Sequence, residues 1–120
     1  MKPKIDKTRF GSITIAGEKY TNDVLIRLDG EVVKRKKKLS KAEYGTSHIL
    51  SLAEARHVYE DGAAWILIGS GHSGLVRLSD EAEQFFKKKG CQVRALPTPE
   101  AVVWWNEADG AGIGLFHVTC

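Results

Sequence analysis

Residues 65–74 concentrate the chain's chemical potential: the apolar run Trp65-Ile66-Leu67-Ile68 passes straight into Gly69-Ser70-Gly71-His72-Ser73-Gly74. A short continuous apolar run reads as a strand buried on both faces. Small or polar residues just beyond its carboxyl end form a loop rich in N–H groups, where α/β proteins usually hold ligands. Together with the N–H groups of a helix start at residues 98–100, this loop can cradle a small anion. A glycine turn needed only for its geometry is the plainer alternative. The candidate ligand residues are Gly69, Ser70, Gly71, His72 and Thr98, with Asn106 or His48 nearby.

Better-defined chemistries are excluded by spacing. Gly69, Gly71 and Gly74 match G-x-G-x-x-G, but the next helix opens only at Ser79, and the following strand ends Ala95-Leu96-Pro97 with no acid for a ribose. No Gly-Lys-Ser/Thr is present, so there is no P-loop. A nucleophile elbow fails at Leu75, which stands where Gly71-His72-Ser73-Gly74 would need a final glycine. The four histidines are scattered, and the two cysteines, Cys91 and Cys120, lack ligand spacing. No catalytic residue, metal or cofactor is assigned.

The second feature is Lys34-Arg35-Lys36-Lys37-Lys38. These five positive charges exceed the chain's net +3, so the remainder is net negative and the protein carries one basic patch. Its plainest reading is a solvated edge strand whose lysines discourage pairing. The functional reading is contact with another protein through Arg35, Lys36, Lys37 and Lys38, joined by Thr46, Ser47 and His48. Nucleic acid is disfavoured because no aromatics are interleaved for base stacking. Trp104 and Trp105 stand about 100° apart on a helix, so one packs inward; Trp105 is the candidate interface anchor.

The elements that must position these residues are legible by period. Residues 10–33 read as antiparallel strands, with turns at Ala16-Gly17-Glu18 and Asp29-Gly30, and the basic run continues the last strand. Ser51-Leu52-Ala53-Glu54 has the form of a capping box opening a helix to about Glu60. A strand over 64–68, a helix from Ser79 to Gly90 and an inner strand over 92–96 follow. A helix then opens with Thr98 as N-cap and Pro99 at N1, and the last strand covers 113–118. Strand–helix–strand order implies right-handed parallel crossovers. The expected architecture is α/β: a single three-layer domain over residues 1–120, its mixed central sheet joined to N-terminal β-hairpins. The charged start shows no secretory signal, and no apolar stretch nears the ~20 residues of a membrane helix. A cytoplasmic protein without membrane insertion is expected, its oligomeric state open.

In order along the chain stand Lys38-Leu39-Ser40-Lys41-Ala42-Glu43-Tyr44-Gly45-Thr46-Ser47-His48, Ile68-Gly69-Ser70-Gly71, Pro97-Thr98-Pro99-Glu100-Ala101, Trp105-Asn106 and Phe116-His117-Val118-Thr119-Cys120. Jointly they resemble the small Mth-type domain family of unknown function, which includes an adipogenesis-associated vertebrate branch and is distantly similar to a mitochondrial complex-one assembly factor. The resemblance implies a mixed sheet whose last strand runs antiparallel to its neighbours, no established catalytic residues, and action through other proteins. The expected function is therefore a non-enzymatic, protein-binding or assembly-factor-like accessory protein. The alternatives are a small anionic-ligand binder or enzyme using loop 69–74 and the helix start at 98, and a nucleic-acid accessory protein using the basic hairpin.

Overall fold

Strict alternation along two adjacent strands sets the layering. Ile66 and Ile68 enter one apolar core while Trp65 and Leu67 enter another, and Ile113 and Leu115 are likewise opposed to Phe116. A strand whose alternate residues are all apolar must be covered on both faces. That requirement produces three layers.

The computed structural model describes residues 2–120. Strands β1 (Ile5–Arg9), β2 (Ser12–Ile15) and β3 (Glu18–Tyr20) form a small antiparallel meander. Strands β4 (Val24–Ile26) and β5 (Val32–Lys34) form a hairpin around Asp29-Gly30, where Gly30 has φ 94°. Helix α1 (Lys38–Tyr44), the short strand β6 (Ile49–Leu50) and helix α2 (Leu52–Val58) follow. Then come β7 (Trp65–Ser70), β8 (Arg77–Leu78), α3 (Asp80–Lys88), β9 (Gln92–Leu96), α4 (Thr98–Glu107) and β10 (Gly112–His117).

The main sheet has the order β5-β4-β10-β7-β9. On one face α2 and α3 contribute Ala55, Val58, Ala82 and Phe86 to the first core. On the other, α4 and the meander contribute Ile5, Ile13, Ile15, Ala101 and Trp105 to the second. The connection from β7 to β9 runs outward through α3, and that from β9 to β10 runs back through α4 on the opposite face. Reversing both direction and face leaves the two crossovers with one hand, as the twist of the sheet demands.

Five expectations are corrected. The basic run does not extend β5: the strand ends at Lys34, and Lys37, in the right-handed helical region, begins α1 without any side-chain cap. Gly45 closes that helix at φ 70°, its N–H donating to the Lys41 carbonyl. Strand β9 is an edge strand with mostly exposed residues, not an inner one. Strand β10 is antiparallel to β4 but parallel to β7, because α4 carries the chain back to the end from which β7 starts. The N-cap of α4 is Pro97, not Thr98. Trp105 is fully buried, donating from Nε1 to the Pro3 carbonyl at 2.8 Å and meeting Trp65 and Phe116 edge-on. The half-exposed indole is Trp104, under the guanidinium of Arg94 at 5.2 Å.

Candidate functional site

The glycine loop is closed from within. Because β10 lies parallel to β7, residues 117–120 leave the sheet beside residues 70–75 and take up the loop's polar groups. The N–H of His72 donates to Thr119 O at 2.7 Å, and that of Leu75 to Cys120 O at 3.2 Å. Thr98 acts as a latch: its Oγ1 accepts from Gly71 N at 2.9 Å and donates to His117 O at 2.7 Å, while its own N–H donates to Gly71 O at 3.0 Å. Gly71, at φ 101°, leaves no room for a side chain, since a Cβ there would stand 2.2 Å from the Cys120 carbonyl carbon. Gly69 is pressed against Phe116, with 2.7 Å from a Cβ to the ring.

The N–H groups of His72, Gly74 and Thr98, assigned to an anion, are thus turned onto the chain's own carbonyls, and that of Gly71 onto the Thr98 hydroxyl. Ser70 is buried in the strand end, and His72 is half-buried, its Nε2 3.4 Å from Thr8 Oγ1. Asn106 sits at the far end of α4 from Thr98, about 12 Å along the helix axis. Both atoms of its amide pair with the backbone of Ile5 (3.0 and 2.8 Å), which ties the start of β1 to α4. Asn106 therefore does not join the loop.

The basic run divides into one structural and several free charges. Arg35 is 3% exposed. Its Nε and Nη2 meet both carboxylate oxygens of Glu54 at 2.6 and 3.0 Å, Nη1 meets Asp23 Oδ2 at 2.9 Å, and Nη2 also donates to Ser47 O at 2.9 Å. Such a planar fork suits bidentate recognition of a carboxylate. Glu54 also accepts from Ser40 Oγ, while Ser51 Oγ accepts from Glu54 N and caps α2. Only half of the expected capping box forms, because the Glu54 carboxylate is drawn to Arg35 and the Ser51 N–H donates to Ser40 Oγ instead. Ser47 is buried, Thr46 Oγ1 accepts from His48 N, and His48 meets the ring of His117 edge-on at 5.3 Å.

Asp23 joins this cluster to the last strand. Its Oδ2 also receives His117 Nδ1 at 2.8 Å, and its Oδ1 accepts from Val118 N at 3.0 Å. Burial alone would raise the Asp23 pKa. The hydrogen bonds from His117 and Val118, with the electrostatic attraction of His117 and then of Arg35, outweigh it and lower the pKa from 3.8 to about 2. A carboxyl whose folded pKa lies below its unfolded one adds stability that is present above the unfolded value and lost as pH falls through the folded value. Asp23 is thus expected to contribute about 2 kcal/mol at neutral pH, lost between about pH 4 and pH 2. Urea unfolding across that range checks this: Asp23→Asn should show a shallower acid slope, and an unchanged slope would refute the assignment.

Asp23 is absent from the sequence reading, and Glu54, His117 and Thr119 enter it only as a capping residue and as part of the terminal motif, not as a cluster. Their signal was weak: an acid abutting the apolar run at residues 24–26, and a histidine between Phe116 and Val118 at the end of a strand.

The remaining basic residues face solvent together. Lys34, Lys36, Lys37, Lys38 and Lys41, with the edge of Arg35, line a concavity of about 440 Å³. Lys38 also borders an adjoining open groove between α1 and α2, lined by Leu39, Ala42, Glu43 and Ala53. Among the described residues no three His, Cys, Asp or Glu side chains are grouped to hold a metal, and no helix is long and apolar enough to cross a membrane. Cys91 is buried, and burial raises its thiol pKa to about 11.

A family model described as a protein of unknown function (DUF498/DUF598) matches residues 5–112. The conserved hypothetical protein PH1505 of Pyrococcus horikoshii OT3 is 30% identical, with 98% of this chain and 99% of that chain covered and a TM-score of 0.91. The solved protein MT938 is 32% identical over 99% of this chain and 100% of that chain, at a TM-score of 0.84. A solved Bordetella pertussis protein, described as a Mth938-like domain, shares 13% identity over 97% of this chain and 85% of that chain, at a TM-score of 0.64. That last likeness concerns the fold alone.

Proposed function

The chain belongs to the DUF498/DUF598 family, as a Mth938-type domain of unknown function, and from that premise we propose that it is an accessory protein that docks an acidic segment of a partner protein. The observation that carries this reading is the lysine-lined concavity, which among the described residues has no carboxylate in its lining. Five ammonium groups held around one hollow repel one another unless an anionic surface neutralises them. The loop that presents them cannot relax easily, because Arg35 at its centre is anchored to Glu54 and Asp23.

The adjoining groove supplies the apolar half of the surface. Leu39, Ala42 and Ala53 offer contact for aliphatic side chains beside the lysines. An acidic amphipathic helix has the matching chemistry, with carboxylates toward the lysines and leucines toward the groove. Neither hollow is lined by a serine, threonine, cysteine, histidine or aromatic side chain. This favours docking over catalysis or base stacking at this face.

The test uses a fluorescein-labelled peptide with leucines at helical spacing and glutamates between them, and a single-stranded oligonucleotide in parallel. The triple variant Lys36→Glu, Lys37→Glu, Lys41→Glu is expected to weaken peptide binding by about tenfold or more, equivalent to ~1.4 kcal/mol. Its thermal unfolding should stay near that of the parent. No peptide binding, equal binding by the variant, or tighter binding of the oligonucleotide would each overturn the reading.

A further inference from the structure

The buried end of β10 holds an arrangement that docking does not use. Asp23 Oδ2 meets His117 Nδ1 at 2.8 Å, and His117 Nε2 meets Thr119 Oγ1 at 3.1 Å. The three side chains form a carboxylate–imidazole–hydroxyl line in the order that activates a hydroxyl nucleophile. We propose that Thr119 is an acyl-accepting nucleophile, with His117 as its general base, toward small apolar acyl groups carried on esters or thioesters.

The surrounding bonds decide the direction of proton flow. Asp23 is held by three donors, Arg35 Nη1, Val118 N and His117 Nδ1, so it accepts from the imidazole and does not donate to it. With the proton on Nδ1, the neutral ring presents a lone pair at Nε2, and the Thr119 hydroxyl donates to it. His117 is 4% exposed and Thr119 is half-buried, so the base is sheltered and the threonine is the more accessible of the two residues. A second imidazole, His48, packs edge-on against the first.

The same segment is flanked by apolar surface. Phe10 and Leu75, 66% and 51% exposed, are two of the three large exposed hydrophobics among the described residues. Both are tied to this strand end: Gly11, next to Phe10, donates its N–H to Val118 O at 2.7 Å, and Leu75 donates its N–H to Cys120 O at 3.2 Å. Phe10 also meets the ring of His72 edge-on. Exposed apolar side chains on the two segments hydrogen-bonded to residues 118 and 120 offer contact for a short acyl chain carried near Thr119.

In the first step the Thr119 oxygen attacks the acyl carbon as its proton passes to His117 Nε2. Collapse of the tetrahedral adduct breaks the bond to the leaving group, and that group departs with the proton from Nε2. In the second step water attacks the acyl-threonine ester and gives its proton to Nε2. Collapse then returns the proton to Thr119 and releases a carboxylic acid. Asp23 holds the ring and stabilises its transient charge.

The experiment treats the full chain with p-nitrophenyl butyrate and p-nitrophenyl acetate, following p-nitrophenol release and mapping the acyl group by mass spectrometry. The expected result is one acyl group per chain on Thr119, faster from the butyrate. Its rate should fall at least about a hundredfold in Thr119→Val, the scale of a general-base contribution, and persist in Thr119→Ser. Label confined to Cys120 or lysines, or an unchanged rate in Thr119→Val, would overturn the proposal. The map of the unsubstituted chain, taken after an acid quench that traps the ester before water releases it, is decisive even if a variant misfolds, since no acyl group at Thr119 then refutes it directly.

Discussion

Arg35→Ala is expected to lower folding stability by about 3–5 kcal/mol, the range for breaking a buried ion pair from one side. The substitution strands the Glu54 carboxylate, which is fully buried, and removes one of the three donors that hold Asp23. Ser47 O loses its donor in the same change. Arg35→Lys should fall between alanine and the parent, because an ammonium keeps the charge but cannot span Glu54 and Asp23 as a fork. Neighbouring Lys36→Ala, on an exposed side chain, should stay within about 0.5 kcal/mol. Urea unfolding of the three variants measures the ordering. A loss below about 1 kcal/mol for Arg35→Ala would mean that Arg35 is a solvated charge, as a run of basic residues suggests on its face.

The second large effect is expected on the other side of the sheet. Trp105→Ala should cost about 3–5 kcal/mol, as for other large aromatic side chains removed from a core. Trp105 is fully buried between α4, the meander and β10, where Gly114 has no side chain and lets the indole approach. The loss of its hydrogen bond to Pro3 O also leaves that carbonyl without its indole donor. Val103→Ala, 57% exposed on the same helix, should change stability by less than about 0.5 kcal/mol. If Trp105 were an interface anchor, its removal would spare folding and weaken partner capture. Denaturation of the two variants separates these outcomes.

The elements with strong local signals were legible from residues alone. Ser51 and Ser79 do cap their helices, each accepting from the N–H three residues on. Asp29-Gly30 does turn a hairpin, and residues 65–70 do form a buried strand. Helix α1 was not legible because nothing in Lys34-Arg35-Lys36-Lys37-Lys38 marks its start: Lys37 offers no capping oxygen, and lysine is as ready in a helix as at a sheet edge. The loop expected at 69–74 does lie at the end of a strand, but β7 runs on through Ser70, so Gly69 and Ser70 are sheet residues and the loop begins at Gly71. Its occupant was not visible, because the groups that fill it come from residues 98 and 117–120.

Periodicity and turn chemistry by themselves determined the α/β class, the hairpin turns at residues 16–17 and 29–30, three of the four helices and the existence of a basic patch, since each depends on residues within a few positions of one another. Strand β1 and its turn at Phe10-Gly11 were not among them. Tertiary structure alone decided which charges in that patch are free. Arg35 is set apart from its lysine neighbours by Asp23, Ser47 and Glu54, 12, 12 and 19 residues away. The same holds for the line from Asp23 through His117 to Thr119, whose first pair is 94 residues apart. Burial and ion pairing over such separations follow from the order of strands in the sheet, and strand order has no local signature. The β10 position between β4 and β7 therefore settled what local pattern left open: it brought a histidine to an aspartate and closed a glycine loop with the chain's own carbonyls.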